Sequence, residues 1–493
     1  MLRPFSRRAF LSALAATCAS HALAAPLERS LRPRLRGQRA TPDPQELISA
    51  AKLGGHVQFQ AADLRTGRVL EAGGTSTALP PASVTKVLTA LYALDTFGPS
   101  HRFETRLMVT GPISNGRLNG DLILVGGGDP TLSTRGLAAL ARALKQAGLR
   151  EITGAFRVFD AALPRVKTID PEQPDHVSYS PAIAGIALNF NRVHFEWARS
   201  AGAYSVMLSA TDIDYKPAVY SSEMRIVDRQ APVYTYANAQ GKDVWSVARS
   251  ALGRGGGRWL PVRNPALYSG DVFQTLARSH GIPLPAPTVM RRPPQGTRIA
   301  QVRSEKLIEI LREMLKYSTN ITAEMVGLSA TTRRLGRVPR NLKASATEMN
   351  RWATDRFDTG GFRLHDHSGL GGGSRLSAAA MCAALIQAHR NAELRPLLKG
   401  FLMRDAQGRP NKAHPVKVVA KTGTLNFVSS LAGYARAADG SDIAFAIFAA
   451  NLKERRKIKK SEREGPPGAR AWNRRAKGLQ QKLIERWATL LQT

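Results

Sequence analysis

Ser83 and Lys86 stand three residues apart in Pro80-Pro81-Ala82-Ser83-Val84-Thr85-Lys86-Val87-Leu88, at the head of an apolar, helix-forming run. On a helix, positions i and i+3 share a face, so the lysine amine can reach the serine hydroxyl. A serine hydroxyl is a poor nucleophile until a base takes its proton. Lysine can be that base only when neutral, which requires burial or a nearby cation. Pro81 lies just ahead and sets Ser83 near a helix N-terminus, where unpaired N–H groups favour a developing oxyanion. The chemistry these two residues can do together is acyl transfer. Ser-x-x-Lys is a loose pattern by itself, and Ser49-Ala50-Ala51-Lys52 also fits it, reading as a solvated helix face. Two further stretches add weight: Ser318-Thr319-Asn320 and Lys421-Thr422-Gly423. Ser318 and Asn320 fall at a tight junction between two helices, where polar side chains can point into a cleft; taken alone, the stretch reads better as a cap, by Ser318 or Thr319, on the second helix. A strand runs into Lys421, so that Lys421-Thr422-Gly423 lies on it; Gly423 lets a ligand lie close to the strand edge, and the two flanking hydroxyls, Thr422 and Thr424, can bind a carboxylate.

The elements that must position these residues follow from periodicity and punctuation. Asp43, Pro44 and Glu46 form a helix start that ends before Gly54. Two strands, 57–62 and 68–71, flank a hairpin signal. The Ser83 helix stops at Gly98-Pro99. From 99 to 287, short strands alternate with Gly, Asn and Pro turns, including a strand at 122–125, a helix at 133–148 and a buried strand at 182–189. The run Gly126-Gly127-Gly128-Asp129-Pro130 is a turn, since no phosphate-loop pattern surrounds it. An amphipathic helix covers 304–317 and a second covers 321–328. Strands at 416–420, 429–435 and 443–450 form an antiparallel meander, and a helix over 478–491 closes the chain. His365-Asp366-His367 has neither a third strong ligand nearby nor helical His spacing, so the loop does not read as a metal site.

The chain has 493 residues, 43% hydrophobic, and a net charge of +34. That length and composition suit several folded domains. The charge fits nucleic acid, anionic membrane or anionic wall polymer. Residues 1–24 choose among these: a basic start with Arg7-Arg8, an apolar middle and Ala22-Leu23-Ala24 form a secretory signal of twin-arginine type. The expectation is an exported, periplasmic protein with a basic leader over 25–43 and anionic envelope surfaces as neighbours. Removal of 1–24 leaves Cys382 alone, so no internal disulfide can form. No stretch is long and apolar enough for a transmembrane segment. The basic run 453–477 reads as a solvated loop.

Ser-x-x-Lys, Ser-x-Asn and Lys-Thr-Gly in this order resemble the penicillin-binding proteins and serine β-lactamases. Ser318 follows Ser83 by 235 positions and Lys421 follows Ser318 by 103. A first gap this long resembles the class C, DacB-type penicillin-binding proteins, peptidase family S13, in which accessory domains are inserted between the first two motifs. Supporting local matches are Gly120 to Leu132, Ser318 to Glu324, and Asp366-His367-Ser368-Gly369-Leu370. The chain departs from that family at His367, where Gly is usual, and in the glycines inserted before Ser374-Arg375.

The resemblance implies an α/β (α+β) fold. A β-lactamase/transpeptidase-like domain, with an antiparallel sheet flanked by helices, would be built from 44–98 and 289–493. A β-rich inserted domain would cover 99–164 and 262–288, with another nested at 165–261. It also implies a D-alanyl-D-alanine carboxypeptidase/endopeptidase acting on peptidoglycan peptides and acylated by β-lactams. Ser83 would be the nucleophile and Lys86 its base. Ser318 would relay a proton, Asn320 would hold the substrate or Lys86, and Lys421 would supply positive potential. Thr422, Gly423 and Thr424 would bind the substrate carboxylate strand-wise, with the N–H groups of Ser83 and Thr424 as oxyanion hole. Asp175 and Arg375 would contact a diaminopimelate side chain. No cofactor or metal is implied. The competing readings are a non-catalytic peptidoglycan-binding scaffold, a β-lactamase, for which no deacylating Glu is placed, and a nucleic-acid binder, for which no recognition motif exists.

Overall fold

Alternation of apolar residues builds the central sheet. In β1 (His56–Asp63), Phe59 and Ala61 face one way and are buried. β2 (Val69–Gly73) pairs with it through a hairpin. After a short 3-10 turn over Ala82–Val84, α2 (Thr85–Phe97) begins; α1 (Pro44–Ala51) precedes β1 and carries the Asp43/Glu46 capping box. The structure, a computed structural model, describes residues 42–490 apart from 76, 393 and 406. The signal segment 1–24 and nearly all of the 25–43 leader lie outside the described residues.

The chain then leaves this sheet. β3 (Glu104–Val109), β4 (Leu122–Gly126), α3 (Thr134–Gln146) and β5 (Phe156–Phe159) come first. β6 (Arg192–Ser200), β7 (Ala203–Ser209), β8 (Ser222–Val227), β9 (Tyr234–Ala239), β10 (Lys242–Ala248) and β11 (Gly255–Pro261) form two three-stranded sheets, ordered β7-β6-β11 and β8-β10-β9. α4 (Pro265–Ser279), β12 (Thr288–Met290) and β13 (Thr297–Arg303) return. A mixed five-stranded sheet, ordered β12-β5-β4-β3-β13, brackets the six intervening strands. Because β13 pairs along β3, the inserted sheet extends to Arg303, past the expected limit at 288.

From α5 (Leu307–Tyr317) the chain rebuilds the first region with α6 (Asn320–Leu335), α7 (Leu342–Phe357), α8 (Ala378–Arg390), β14 (Lys399–Phe401), β15 (Lys417–Leu425), β16 (Val428–Arg436), β17 (Asp442–Ala450), α9 (Leu452–Lys457) and α10 (Ala469–Leu490). The central sheet runs β14-β15-β16-β17-β1-β2, antiparallel throughout. β17 is buried on both faces. Its Ala444, Ala446 and Phe448 pack with α2, α5 and α8, while Phe445 and Ile447 pack with Trp472, Leu483 and Trp487 of α10. This is the expected sheet with helices on both sides, a transpeptidase-like architecture.

Two elements differ from the sequence reading. Residues 182–189 form no strand: 182–188 are buried, one bridge joins Val166 and Ile183, and the chain runs into Asn189, Phe190 and Asn191, all in the left-handed region. Burial there comes from packing rather than from a ladder; a Cβ on Gly185 would sit 2.7 Å from the Asp160 carbonyl oxygen. The closing helix starts at Ala469 rather than Gly478, so the basic run 453–477 is α9, a strap of turns, and the first turns of α10.

Candidate active site

Ser83 sits on a turn bent by Ala82, whose φ is +46°. Left-handed backbone at a residue with a Cβ is sterically strained, and two glycines brace it here. A Cβ on Gly423 would lie 2.6 Å from the Pro81 carbonyl oxygen and 3.0 Å from the Ser83 nitrogen. A Cβ on Gly369 would overlap the Ala82 carbonyl. Gly423 therefore admits the nucleophile's own turn against β15, where the sequence reading had it admit a ligand. β14 covers β15 only from Val418 to Ala420, which leaves room for this turn beside Lys421–Thr424.

One helical turn later, Lys86 is fully buried. Its Nζ lies 2.9 Å from Ser83 Oγ, 2.8 Å from Asn320 Oδ1 and 2.8 Å from the Ser368 carbonyl oxygen. A neutral amine has two N–H donors and one lone pair. The two carbonyl oxygens can only accept, so in the neutral state the lone pair is left for the Ser83 O–H. Burial, then the charge of Lys421, hold the Lys86 amine well below its ordinary value; Glu324 and Asp366 pull the other way. Asn320 opens α6, and its Nδ2 donates to the Tyr179 carbonyl at 3.0 Å, which points Oδ1 at Lys86.

Ser318 lies between α5 and α6 with φ +61° and ψ +36°. Its hydroxyl is 2.9 Å from Lys421 Nζ, and the N-cap residue of α6, Thr319, makes no side-chain cap bond. The junction aims at the cleft instead of capping the helix. Lys421 Nζ also donates to the Thr422 carbonyl at 2.8 Å. Burial, reinforced by Lys399, brings Lys421 down to about 8. Ser83, Ser318, Asn320 and Thr424 line one cleft of about 400 Å³. Thr422 and Thr424 are exposed on β15, and Thr424 is the one that lines the cleft with Ser83. The decoy pair Ser49 and Lys52 is solvent-exposed, as its reading as a helix face requires.

Asp175 and Arg375 do not share this cleft. The Asp175 carboxylate pairs with Lys460 at 2.9 Å and lines neither of the two cavities. It is committed to the strap because Lys460 reaches back across the inserted segment, a contact that sequence spacing does not show. Arg375 lines a neighbouring cavity and donates to the carbonyls of Gly372 and Ser374. Asp170, Glu172 and Asp366, rather than Asp175, are the acids facing Arg375's cavity.

Three participants escaped the sequence reading. The Ser368 carbonyl is one of the three partners of Lys86, and a backbone oxygen leaves no signature. Glu324 holds the loop that presents it, accepting from His367 N at 3.0 Å and Ser368 N at 2.8 Å. Burial and the neighbouring Asp366 raise the Glu324 carboxyl. Asp366 folds the same loop by accepting from Gly369 N and Gly371 N, each at 2.7 Å. Glu324 follows Asn320 by four positions, which on a helix is the same face, so spacing could have found it. His367 turns inward: Nε2 meets Ser345 Oγ at 2.7 Å, and Gly327 leaves the space its ring fills. Burial drives its imidazole down to about 3, hence neutral.

Comparison with known proteins agrees with this geometry. The model of the D-Ala-D-Ala carboxypeptidase 3 (S13) family matches residues 45–465. A D-alanyl-D-alanine carboxypeptidase of Actinomadura sp. (strain R39) is 27% identical over 422 residues, covering 78% of this chain and 76% of that protein. The D-alanyl-D-alanine carboxypeptidase DacB of Haemophilus influenzae is 25% identical over 412 residues, covering 80% and 85%. The crystal structure of penicillin binding protein 4 (dacB) from Haemophilus influenzae superposes with a TM-score of 0.72 at 20% identity, over 90% of this chain and 99% of that one. The chain belongs to the D-Ala-D-Ala carboxypeptidase 3 (S13) family.

Proposed function

We propose that this protein is a serine D-alanyl-D-alanine carboxypeptidase that works through a Ser83 acyl-enzyme and is acylated by β-lactams in the same way. The observation that carries the reading is the contact of Ser83 Oγ with a buried lysine amine whose other two partners are carbonyl oxygens. Lys86 Nζ takes the Ser83 proton as Oγ bonds to the carbonyl carbon of the scissile amide. Backbone N–H groups of Ser83 and Thr424 receive the oxyanion, each donor being worth about 3 kcal/mol. The C–N bond then breaks, and a proton passes through Ser318 Oγ to the departing amine. Lys421 and the Thr424 hydroxyl hold the terminal carboxylate, with Thr422 beside them on the strand. Water attacks the ester and returns the proton to Ser83. A cross-linking D-alanyl amide presents the same carbonyl, so endopeptidase action is part of the proposal.

The site of action follows from the N-terminal segment: its basic, apolar and Ala-x-Ala parts support export to the periplasm by the twin-arginine route, with peptidoglycan peptides as substrate. The high positive charge supports contact with anionic envelope surfaces. Release of D-alanine from Nα,Nε-diacetyl-Lys-D-Ala-D-Ala tests the reading. Wild type should release it and Ser83→Ala should not; equal release by both would overturn the assignment of the nucleophile.

A further inference from the structure

The reaction leaves one buried titratable side chain of the cleft floor without a task. His367 precedes Ser368, whose carbonyl oxygen receives the Lys86 amine at 2.8 Å. Four glycines, Gly369, Gly371, Gly372 and Gly373, follow within six residues, so the backbone of this loop does little to fix itself. Its position has to be imposed by its neighbours.

His367 meets a different helix through each of its groups. Its N–H donates to Glu324 of α6 at 3.0 Å, and its carbonyl accepts from Thr89 Oγ1 of α2 at 2.7 Å. Thr89 stands one turn beyond Lys86 on the same helix. The imidazole goes to α7: Nε2 lies 2.7 Å from Ser345 Oγ, and Nδ1 lies 3.4 Å from Met349 Sδ. The ring is stacked parallel to that of Tyr92, with centroids 6.4 Å apart. A Cβ on Gly327 would come 2.2 Å from His367 Cγ, so the bare stretch of α6 is filled by this ring.

The directions of the hydrogen bonds define the form of imidazole that fits. Ser345 Oγ donates to Thr331 Oγ1 at 2.7 Å, and Tyr92 OH meets Thr331 Oγ1 at 3.1 Å. With its proton committed to Thr331, the Ser345 oxygen accepts from His367 Nε2–H. The other ring nitrogen faces a thioether, a weak acceptor, so a neutral ring with one N–H is matched by one good acceptor. Thr89, Tyr92, Thr331, Ser345, Met349 and His367 are all buried. A buried donor or acceptor stripped of its partner costs more than the bond itself contributes, so this chain resists sliding. The ring pins the loop from α7, as Glu324 and Thr89 pin its backbone from α6 and α2.

We propose that His367 is a positioning residue for acylation: its ring, bonded to Ser345, fixes the Ser368 carbonyl on Lys86 Nζ and thereby keeps the amine lone pair on the Ser83 hydroxyl. His367 does not line the catalytic cleft and acts through Ser368 and Lys86. Without the Ser368 acceptor, the amine can rotate and present an N–H, instead of its lone pair, to Ser83 Oγ. The inference rests on the reading of Lys86 as the base of Ser83.

Stopped-flow acylation by a chromogenic cephalosporin separates the rate constant of bond formation from the concentration that half-saturates the enzyme. His367→Leu fills the space but donates nothing. It should lower the rate constant about tenfold, with half-saturation within about twofold of wild type. His367→Gln puts an amide N–H close to the place of Nε2 and should recover most of the lost rate. Ser345→Ala removes the acceptor and should slow acylation by the same factor as His367→Leu, the two together being no slower than either alone. A folded His367→Leu that acylates at the wild-type rate, a loss confined to half-saturation, or a His367→Gln as slow as His367→Leu would overturn the inference. Where His367→Leu does not fold, Ser345→Ala decides: about tenfold slowing supports the role, and the wild-type rate overturns it. Penicillin labelling of wild type is read first. Its absence removes the base reading of Lys86 as well, whereas labelling with unslowed variants removes the positioning role alone.

Discussion

The floor and the rim of the cleft are built on opposite electrostatic terms. On the floor, Lys86, Glu324, Asp366 and His367 are all nearly or fully buried, and each is bonded to groups equally cut off from water. At the rim, the strap and the inserted segments meet through Lys460–Asp175, His176–Glu464 and Arg258–Glu464, whose carboxylates are more than half exposed. Charges on the floor act through a low dielectric and shift one another's protonation; charges at the rim are screened by water and salt. The comparison teaches that protonation is set below, by desolvation, and that the rim is held together above by ion pairs that cost little to change.

The largest effect should come from the floor. Lys86→Met keeps the chain length and removes the base, and acylation should slow by about 10²–10⁴-fold; stopped-flow acylation with a chromogenic cephalosporin measures it. A loss under tenfold would move the base elsewhere. Gly423→Ala comes next. Its Cβ would press on Pro81 O and Ser83 N, and overpacking of this kind costs about 1–3 kcal/mol. The variant should fold with a lowered melting temperature and acylate more slowly than wild type. An unperturbed enzyme would show that β15 does not brace the nucleophile turn.

Lys421 joins floor chemistry to substrate charge and gives a pH test. With its amine at about 8, it is cationic below that pH and neutral above it. Above pH 8 it loses its hold on a substrate carboxylate, so kcat/KM for a peptide ending in a free carboxylate should fall there. For the same peptide ending in an amide, the fall should be smaller. Equal alkaline falls for both would assign the titration to another group. The smallest effect belongs to the rim. Glu464→Gln breaks two pairs at once, yet should lower stability by at most about 1 kcal/mol in a urea melt. A loss of several kcal/mol would erase the contrast between rim and floor.

Much of the floor was legible in the sequence because its logic is local. Ser83 and Lys86 share a helical face, Asn320 opens a helix behind a marked junction, and Lys421 lies on a strand flagged by its apolar run. The three-layer catalytic region was legible for the same reason, since β16 and β17 are unmistakable apolar strands. What the sequence hid depends on contacts between distant segments or on the backbone itself. The Ser368 carbonyl has no side-chain signature. Asp175 looked available, but the lysine that engages it lies 285 positions later. Residues 182–189 are apolar enough for a strand, yet their neighbours bury them without offering a ladder. β13 was assigned to the catalytic region because a seven-residue edge strand carries little periodicity, and only its pairing with β3 reveals where it belongs.

The central claim is that Ser83 is an acyl acceptor activated by the buried Lys86. Intact-mass measurement after incubation with benzylpenicillin tests it most directly. Wild type should gain the mass of one penicillin, mapped by peptide digestion to Ser83, and folded Ser83→Ala should gain none. A folded wild-type protein that takes up no penicillin, or an adduct that persists in Ser83→Ala, would contradict the account.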